Sequence, residues 1–396
     1  MELIREFQVE LKRRLQQGSP LIQAVVGPRQ VGKTTGVLAL AAEWPRAKVV
    51  ESADSLAPLS SEWLASHWQR ASELGPGTLL VIDEVQKIPD WSQAVKTLYD
   101  RYRHKKLQIV MLGSASFQLQ RGLSDSLAGR YELLSAPHWS FSEMNRAFGF
   151  SFEQYLSFGG YPGAAHLVSE PQRWRGYILN SILENVLTKD LSDLAEIRNP
   201  AMLRQLFFLT MEFPAQEISF QKLVGQLQDK GAVATVKHYL EILESAHLLK
   251  LVYKYGGSAL STRTSSPKIL PLAPALISAL TDRGGQISEQ TGAFRPEWRG
   301  RIFEAAIGSA LRLVSDELYY WRERDQEVDF VVRIGALLIG VEIKSGRPRR
   351  ASGLAVFKAR HPKALTVVID YERGKKLLDL ESFTPIRNDP KLLLGL

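Results

Sequence analysis

The chain has 396 residues, more than one ordinary core supports, so two or three domains are expected. Its hydrophobic content of 45% and charged content of 23% are those of a soluble globular protein, and no stretch supplies the ~20 uninterrupted apolar residues that a membrane span needs. Cysteine is absent, which excludes disulfides, thiolate metal sites and a cysteine nucleophile; residues 1–19 show helical periodicity without an apolar signal-peptide core, so a cytoplasmic location is expected.

Fifty Lys and Arg against 42 Asp and Glu give a net charge of +8, which favours polyanionic partners, though solubility alone could explain it; DNA, whether duplex, branched or single-stranded, is the expected partner. The basic residues gather at 101–106 (RYRHKK), 295–301 (RPEWRGR) and 345–350 (SGRPRR).

After the N-terminal periodic segment, the apolar run at 21–26 (LIQAVV) reads as a strand, followed by GPRQVGKTT and the helix-like GVLALAAEW. The loop fits G-x-x-x-x-G-K-[ST]. Gly27 and Gly32 let successive backbone N–H groups turn inward on phosphates, with Pro28, Arg29, Gln30 and Val31 between them. Lys33 reaches the terminal phosphates, Thr34 offers its hydroxyl to magnesium, and Thr35 completes the nucleotide-binding set, so ATP and Mg2+ are the expected ligands.

Residues 79–82 read as a buried parallel strand with Asp83 and Glu84 at its carboxyl end, where ligands bind in open parallel sheets. There Asp83 can hold magnesium and Glu84 can polarise the attacking water. A third buried run, 107–112, ends in GSAS, which puts Ser114 or Ser116 where a hydroxyl could sense the terminal phosphate. Arg130 follows a small-residue turn in SLAGRYELL. Arginine suits the charge that develops in phosphoryl transfer and can be supplied in trans, while a surface salt bridge is its plain alternative. A trans arginine implies a homo-oligomer, of which a hexameric ring is one form.

GPRQVGKTT, LLVIDEVQK, MLGSAS, SLAGRYELL and FGGYP (158–162), in this order and spacing, resemble a group of prokaryotic predicted ATPases. Those proteins carry an AAA-like N-terminal module, a winged-helix segment and a C-terminal domain of unknown function 4143. The resemblance spans nearly the whole chain; it implies a P-loop ATPase core and makes Arg130 a candidate finger or sensor. The group usually carries an acidic residue after GGYP, whereas this chain has Gly163, so no role attaches to that position.

From 151 to about 190 the pattern is helical, with FGGYPGAA as a turn. Residues 218–257 then read as a short helix, a turn at Gly231, a second helix with apolar Val236, Leu240 and Leu243, and a β-branched hairpin candidate. That order resembles a winged helix-turn-helix. The exposed face of its second helix carries Thr235, Lys237 and His238 but also Glu241 and Glu244, which suits a lever or protein-interaction module as well as a DNA reader. Residues 256–268 and 281–300 are the most linker-like stretches.

In the last third, GRIFEAAIGSALRLV reads as an amphipathic helix holding Glu304, followed by a strand pair with Asp329 and then LLIGVEIKSG. Glu342 and Lys344, two apart on a strand, share a face. Three carboxylates and a lysine suit a magnesium ion and phosphodiester chemistry, with Asp329 and Glu342 as metal ligands. The D-x12-E-x-K spacing with an upstream helical Glu resembles the PD-(D/E)xK nuclease superfamily; the alternative is a structural ion network.

The expected fold class is therefore α/β: an AAA-like P-loop core over 1–150, a helical connector over 151–200, a winged helix over 201–260 and a restriction-endonuclease-like domain over 285–396. The expected function is an ATP-hydrolysing, DNA-associated motor coupled to a nuclease-like domain. The competing expectations are a nucleotide-switched regulatory ATPase with an inert C-terminal domain, and a toxin-antitoxin or defence component.

Overall fold

The three inner strands of the N-terminal sheet are buried on both faces because helices cover them on both sides, as parallel sheets require. The structure, a computed structural model, describes residues 3–113, 127–191, 197–228, 231–256, 265–280, 296–345 and 352–396. It divides into two units, Met1–His138 with Thr188–Glu196, and Trp139–Leu187 with Ile197–Leu396.

The first unit runs α1 (Glu6–Gln16), β1 (Ile22–Val26), α2 (Lys33–Ala42), β2 (Lys48–Ser52), α3 (Ser61–Glu73), β3 (Leu79–Asp83), α4 (Trp91–Tyr102), β4 (Gln108–Leu112) and β5 (Tyr131–Ser135). Its sheet is wholly parallel, in the order β2-β3-β4-β1-β5. The chain passes from β1 to the edge at β2, returns through β3 and β4, and crosses β1 to reach β5. β1 thus ends at the point where the winding reverses, the usual place for a ligand in such sheets.

Period-two alternation sorts the strand residues between two cores. Ile22, Ala24, Val26, Leu80, Ile82 and Met111 pack with Leu64 and Trp68 of α3 and Trp91 and Val95 of α4. Val25, Leu79, Val81, Val110 and Leu112 pack with Phe7, Leu11 and Leu15 of α1 and Val37 and Leu40 of α2.

The second unit opens with α5 (Phe141–Phe148) and α6 (Phe152–Phe158), each started by a serine capping box at Ser140 and Ser151. The expected boundary at 150 falls instead between His138 and Trp139, because Phe141 packs edge-on against Phe152 and tilted against Tyr155 and so draws α5 into this unit. Within the helical pattern expected from 151 to about 190, a short α7 (Pro171–Gly176) continues as a π-helix over Tyr177–Leu183.

Next come α8 (Pro200–Thr210), β6 (Gln216–Glu217), α9 (Phe220–Gln226), α10 (Val233–Ser245), β7 (Leu249–Lys254), β8 (Lys268–Pro271) and α11 (Pro274–Ser278). The C-terminal part runs α12 (Pro296–Val314), β9 (Glu317–Glu323), β10 (Gln326–Ile334), β11 (Leu337–Lys344), α13 (Ser352–Arg360), β12 (Leu365–Asp370), α14 (Tyr371–Leu378) and α15 (Thr384–Asn388).

The stretches 201–260 and 285–396, read separately from sequence, share one seven-stranded sheet in the order β12-β11-β10-β9-β7-β8-β6. The join is the parallel pairing of β7 with β9 at Tyr253–Tyr319 and Lys254–Tyr320. β9, β10 and β11 form an antiparallel meander, β12 runs parallel to β11, and β8 is antiparallel to both β7 and β6. α12 lies against this sheet at Gly308, where a Cβ would stand 2.4 Å from the Phe330 ring and 2.9 Å from Leu270. A side chain there would lift the helix off β8 and β10, and Glu304 lies one turn before it.

Candidate functional site

The phosphate loop leaves β1 at Val26 and closes at Gly32, whose φ of 83° lies in the left-handed region that favours glycine. Gly27 is required for a different reason: a Cβ there would meet the carbonyl oxygen of Ala136 at 2.1 Å. Lys33 starts α2, so its backbone belongs to the helix N-terminus that suits phosphate. Its side chain is only 7% exposed, and Nζ donates to the carbonyls of Gly27 at 3.0 Å and Pro28 at 2.6 Å. Thr34 and Thr35 are exposed in the first turn of α2, as is Gln30 in the loop, whereas Pro28 and Val31 are buried and Arg29 is half-buried.

At the carboxyl edge of β3, Asp83 Oδ2 accepts from Thr34 Oγ1 at 2.8 Å and its Oδ1 accepts from the Glu84 backbone N–H at 2.9 Å. Burial raises the Asp83 carboxyl above its ordinary range, against the opposing hydrogen bond from Thr34. Glu84 has a φ of 51° and accepts from Gln86 Nε2 at 2.5 Å. A hydroxyl and a carboxylate facing each other beside a buried lysine fit a magnesium ion bound with nucleotide phosphates: Thr34 and Asp83 would hold it, and it would neutralise phosphate charge.

The structure adds Arg5 and Gln8, which the sequence reading passed over. Arg5 is buried, and its guanidinium donates to the carbonyls of Val31, inside the loop, and Pro137, both at 2.9 Å. Gln8 donates to the Gly36 carbonyl at 3.1 Å and accepts from the Arg5 backbone N–H at 2.8 Å. Helix α1 thus braces the phosphate loop and α2. The only sequence signal was a polar pair on the buried side of an amphipathic helix.

Arg130 stands at the opposite edge of the sheet. It precedes β5, whose first residue pairs with Ile22 at the start of β1, and its carbonyl accepts from the Ile22 N–H. At about 3.3 Å per strand residue, this edge lies roughly 15 Å from the phosphate loop, farther than an arginine side chain extends. Its guanidinium forms a two-pronged pair with Asp100, 2.9 Å at each prong, and the pair keeps the Asp100 carboxyl below its usual range. In this position Arg130 does not reach its own phosphate loop. Ser114 and Ser116 lie outside the described residues, as do 346–350 of the third basic stretch.

In the second unit the four expected polar residues are divided between two partnerships. Glu342 is 8% exposed and pairs with Lys344, so the E-x-K carboxylate and lysine neutralise each other. Asp329 sits at a bulge in β10, between Val328 and Val331, and its Oδ2 accepts from the Ile343 N–H of β11 at 2.7 Å. Glu304 and Asp329 instead face Lys268 of β8, a residue unnoticed in sequence together with Glu327. Lys268 is 2% exposed, with Nζ 3.1 Å from Glu304 Oε1 and 3.1 Å from Glu327 Oε1.

Burial pushes Glu304 up to about 7, against the pull of Lys268, and raises Asp329 as well. Burial opposes the charge on Lys268, but the surrounding carboxylates outweigh it and hold the ammonium above its ordinary range. Among the described residues no three His, Asp or Glu side chains are grouped to hold a metal ion. Lys268 stands among Glu304, Glu327 and Asp329, and Lys344 faces Glu342, so Asp329 and Glu342 as they lie do not fit the expected magnesium site.

A parallel sheet with a phosphate loop after β1 and an acidic pair after β3 defines an α/β P-loop nucleotide-binding unit. Residues 19–145 match the family model described as an AAA domain, and 149–286 and 299–388 match two domains of unknown function, 8612 and 4143. The AAA and 4143 matches agree with the expected module order; the 8612 match was not anticipated.

Over 344 residues the chain is 27% identical to uncharacterized proteins of Mycobacterium tuberculosis and Mycobacterium bovis, covering 86% of this chain and 73% of each relative. An uncharacterized protein of Methanocaldococcus jannaschii is 23% identical over 276 residues, covering 64% of this chain and 58% of its own length. Among solved structures, the RuvB Holliday junction branch migration motor of Thermotoga maritima aligns with a TM-score of 0.34 at 17% identity, covering 62% of this chain and 87% of its own. The Pif1 helicase of Candida albicans aligns with a TM-score of 0.26 at 13% identity, covering 37% and 43%.

Proposed function

We propose that the chain is an ATP-hydrolysing, AAA-type protein that remodels or moves a nucleic-acid partner. The observation that carries this reading is the 2.8 Å contact between Thr34 and Asp83 beside buried Lys33, at the carboxyl edge of a parallel sheet. In this reading Lys33 moves from two loop carbonyls to the terminal phosphates, and the loop N–H groups hold the remaining oxygens. Thr34 and Asp83 keep the magnesium ion that neutralises phosphate charge. Glu84 turns from Gln86 to orient the attacking water.

Arg130, half-buried and beyond reach of its own loop, would act on a neighbouring copy after leaving Asp100, and this makes a homo-oligomer part of the proposal. No described helix is long and apolar enough to cross a membrane. DNA association is supported by the net charge of +8 and by the exposed basic residues at 101 and 103–106. The order α8-β6-α9-α10-β7-β8, with β8 between β6 and β7, supports a winged-helix reading of the middle region. The order α12-β9-β10-β11-α13-β12 supports a nuclease-like fold for the C-terminal part.

The test is ATP hydrolysis by purified protein with duplex, single-stranded or branched DNA, following strand cleavage in the same tubes. Hydrolysis that rises with one DNA form supports the proposal; absence of hydrolysis under every condition sinks it. A second reading, a nucleotide-driven switch acting on a protein partner with an inert C-terminal domain, is favoured by the lysine inside the carboxylate cluster. Robust hydrolysis indifferent to DNA would select it.

A further inference from the structure

An ammonium has three donors and no acceptor, and Lys268 has three acceptors around it. They are Glu304 Oε1 and Glu327 Oε1, both at 3.1 Å, and the Asp329 carbonyl at 3.3 Å; the Asp329 carboxylate lies beyond at 4.0 Å. The rings of Phe330 and Tyr320, with centroids 5.3 and 6.0 Å from Nζ, add cation–π contacts. Arg322 approaches Glu327 from β9 at 3.0 Å and also pairs with Glu217 of β6. Every described carboxylate of the cluster therefore already faces a cation of the chain.

A magnesium ion requires several oxygens in near-octahedral array at about 2.0–2.1 Å, and a positive charge held among the same carboxylates would repel it. Among the described carboxylates of this cluster only Glu342 leaves a buried oxygen, Oε2, without a hydrogen-bond partner, and one oxygen is too little to make such a cage.

The geometry points to Lys268 as the resident cation of this cluster, standing where a divalent metal would stand. The acidic positions then work as an ion-pair latch that fastens the β7–β8 hairpin onto α12 and β10, and not as a metal-dependent cleavage centre. Lys268 comes from β8, Glu304 from α12, and Glu327 and Asp329 from β10, so the latch joins parts of the sheet far apart in sequence. This assignment is independent of ATP hydrolysis by the first unit.

The test uses nucleotide-free protein carrying Asp83→Asn, which silences the phosphate-site ligand, and follows free Mn2+ by electron paramagnetic resonance. D83N is expected to leave the Mn2+ signal as in buffer. D83N/K268A is expected to take up Mn2+ stoichiometrically and to lose that uptake when D329N is added. Uptake by D83N that D329N abolishes would overturn the assignment, as would a folded D83N/K268A protein that takes up none. If K268A does not fold, as judged by circular dichroism, the comparison of D83N with D83N/D329N still decides. ATP turnover of K268A with Asp83 intact reports separately on the phosphate site.

Discussion

Each unit buries a lysine at its candidate site, Lys33 at 7% exposure and Lys268 at 2%, but the two are held by opposite kinds of partner. Lys33 donates to the backbone carbonyls of Gly27 and Pro28, which are neutral dipoles. Lys268 sits among Glu304, Glu327 and Asp329, which are charged or titrating. A lysine resting on dipoles can exchange them for an arriving phosphate and gain a full charge interaction. A lysine already held by carboxylates has nothing to gain from a new ligand, and its removal strands buried charge. Burial and residue type are the same in the two places, so it is the partners that separate a poised group from a settled one.

The sharpest way to break this comparison is Lys268→Met. Removing one side of a buried charge cluster should cost about 3–5 kcal/mol in the unfolding of the second unit, with ATP turnover of the first unit unchanged. An unaltered urea midpoint would show that the carboxylates do not depend on the lysine. Lys33→Met should do the reverse, lowering turnover about 10²–10³-fold while costing stability only about 2 kcal/mol through the freed Gly27 and Pro28 carbonyls. Turnover that persisted in this variant would remove Lys33 from the reaction.

The pH dependence sharpens the same contrast. Glu304 is raised from 4.5 to about 7 by burial, so the native state holds its proton more tightly than the unfolded chain does. Its contribution to stability is complete below pH 4.5 and is lost as pH rises through about 7, a change of up to about 3 kcal/mol. The groups facing it are Lys268 from β8 and Asp329 and Glu327 from β10. Unfolding of wild type and Glu304→Gln measured from pH 4.5 to 8 should show the decline in the first and a flatter profile in the second.

Arg5→Met should cost about 2 kcal/mol by freeing the Val31 and Pro137 carbonyls, and it should raise the KM for ATP more than it lowers kcat. An equal fall in both would point to general damage. Smallest of all, Asp100→Ala removes an exposed pair and should change stability by less than about 1 kcal/mol. If Arg130 serves a neighbouring copy, Arg130→Ala should lower turnover at concentrations where copies associate and leave dilute protein unaffected.

The phosphate loop was legible in full because its chemistry is local. Gly27, Gly32, Lys33 and Thr34 are consecutive or nearly so, and the apolar runs on either side announce a strand and a helix. Asp83 was legible for a similar reason, as the polar end of a buried run. Arg5 was not, because its partners Val31 and Pro137 are reached only through the packing of α1. Arg130 was visible as a candidate, but the edge of the sheet it occupies depends on how β5 pairs with β1.

Glu304, Asp329, Glu342 and Lys344 mark the same limit from the other side. Their spacing suggested one shared face and one bound metal, and the chain does bring carboxylates together there. What occupies the centre depended on Lys268, 36 positions before Glu304 on a strand that joins the sheet through β7. Sequence alone determined the P-loop unit, because short-range geometry and buried apolar runs specify it wherever they occur. Only the tertiary structure decided which cation the C-terminal carboxylates face, because charge compensation is a property of what lies nearby in space.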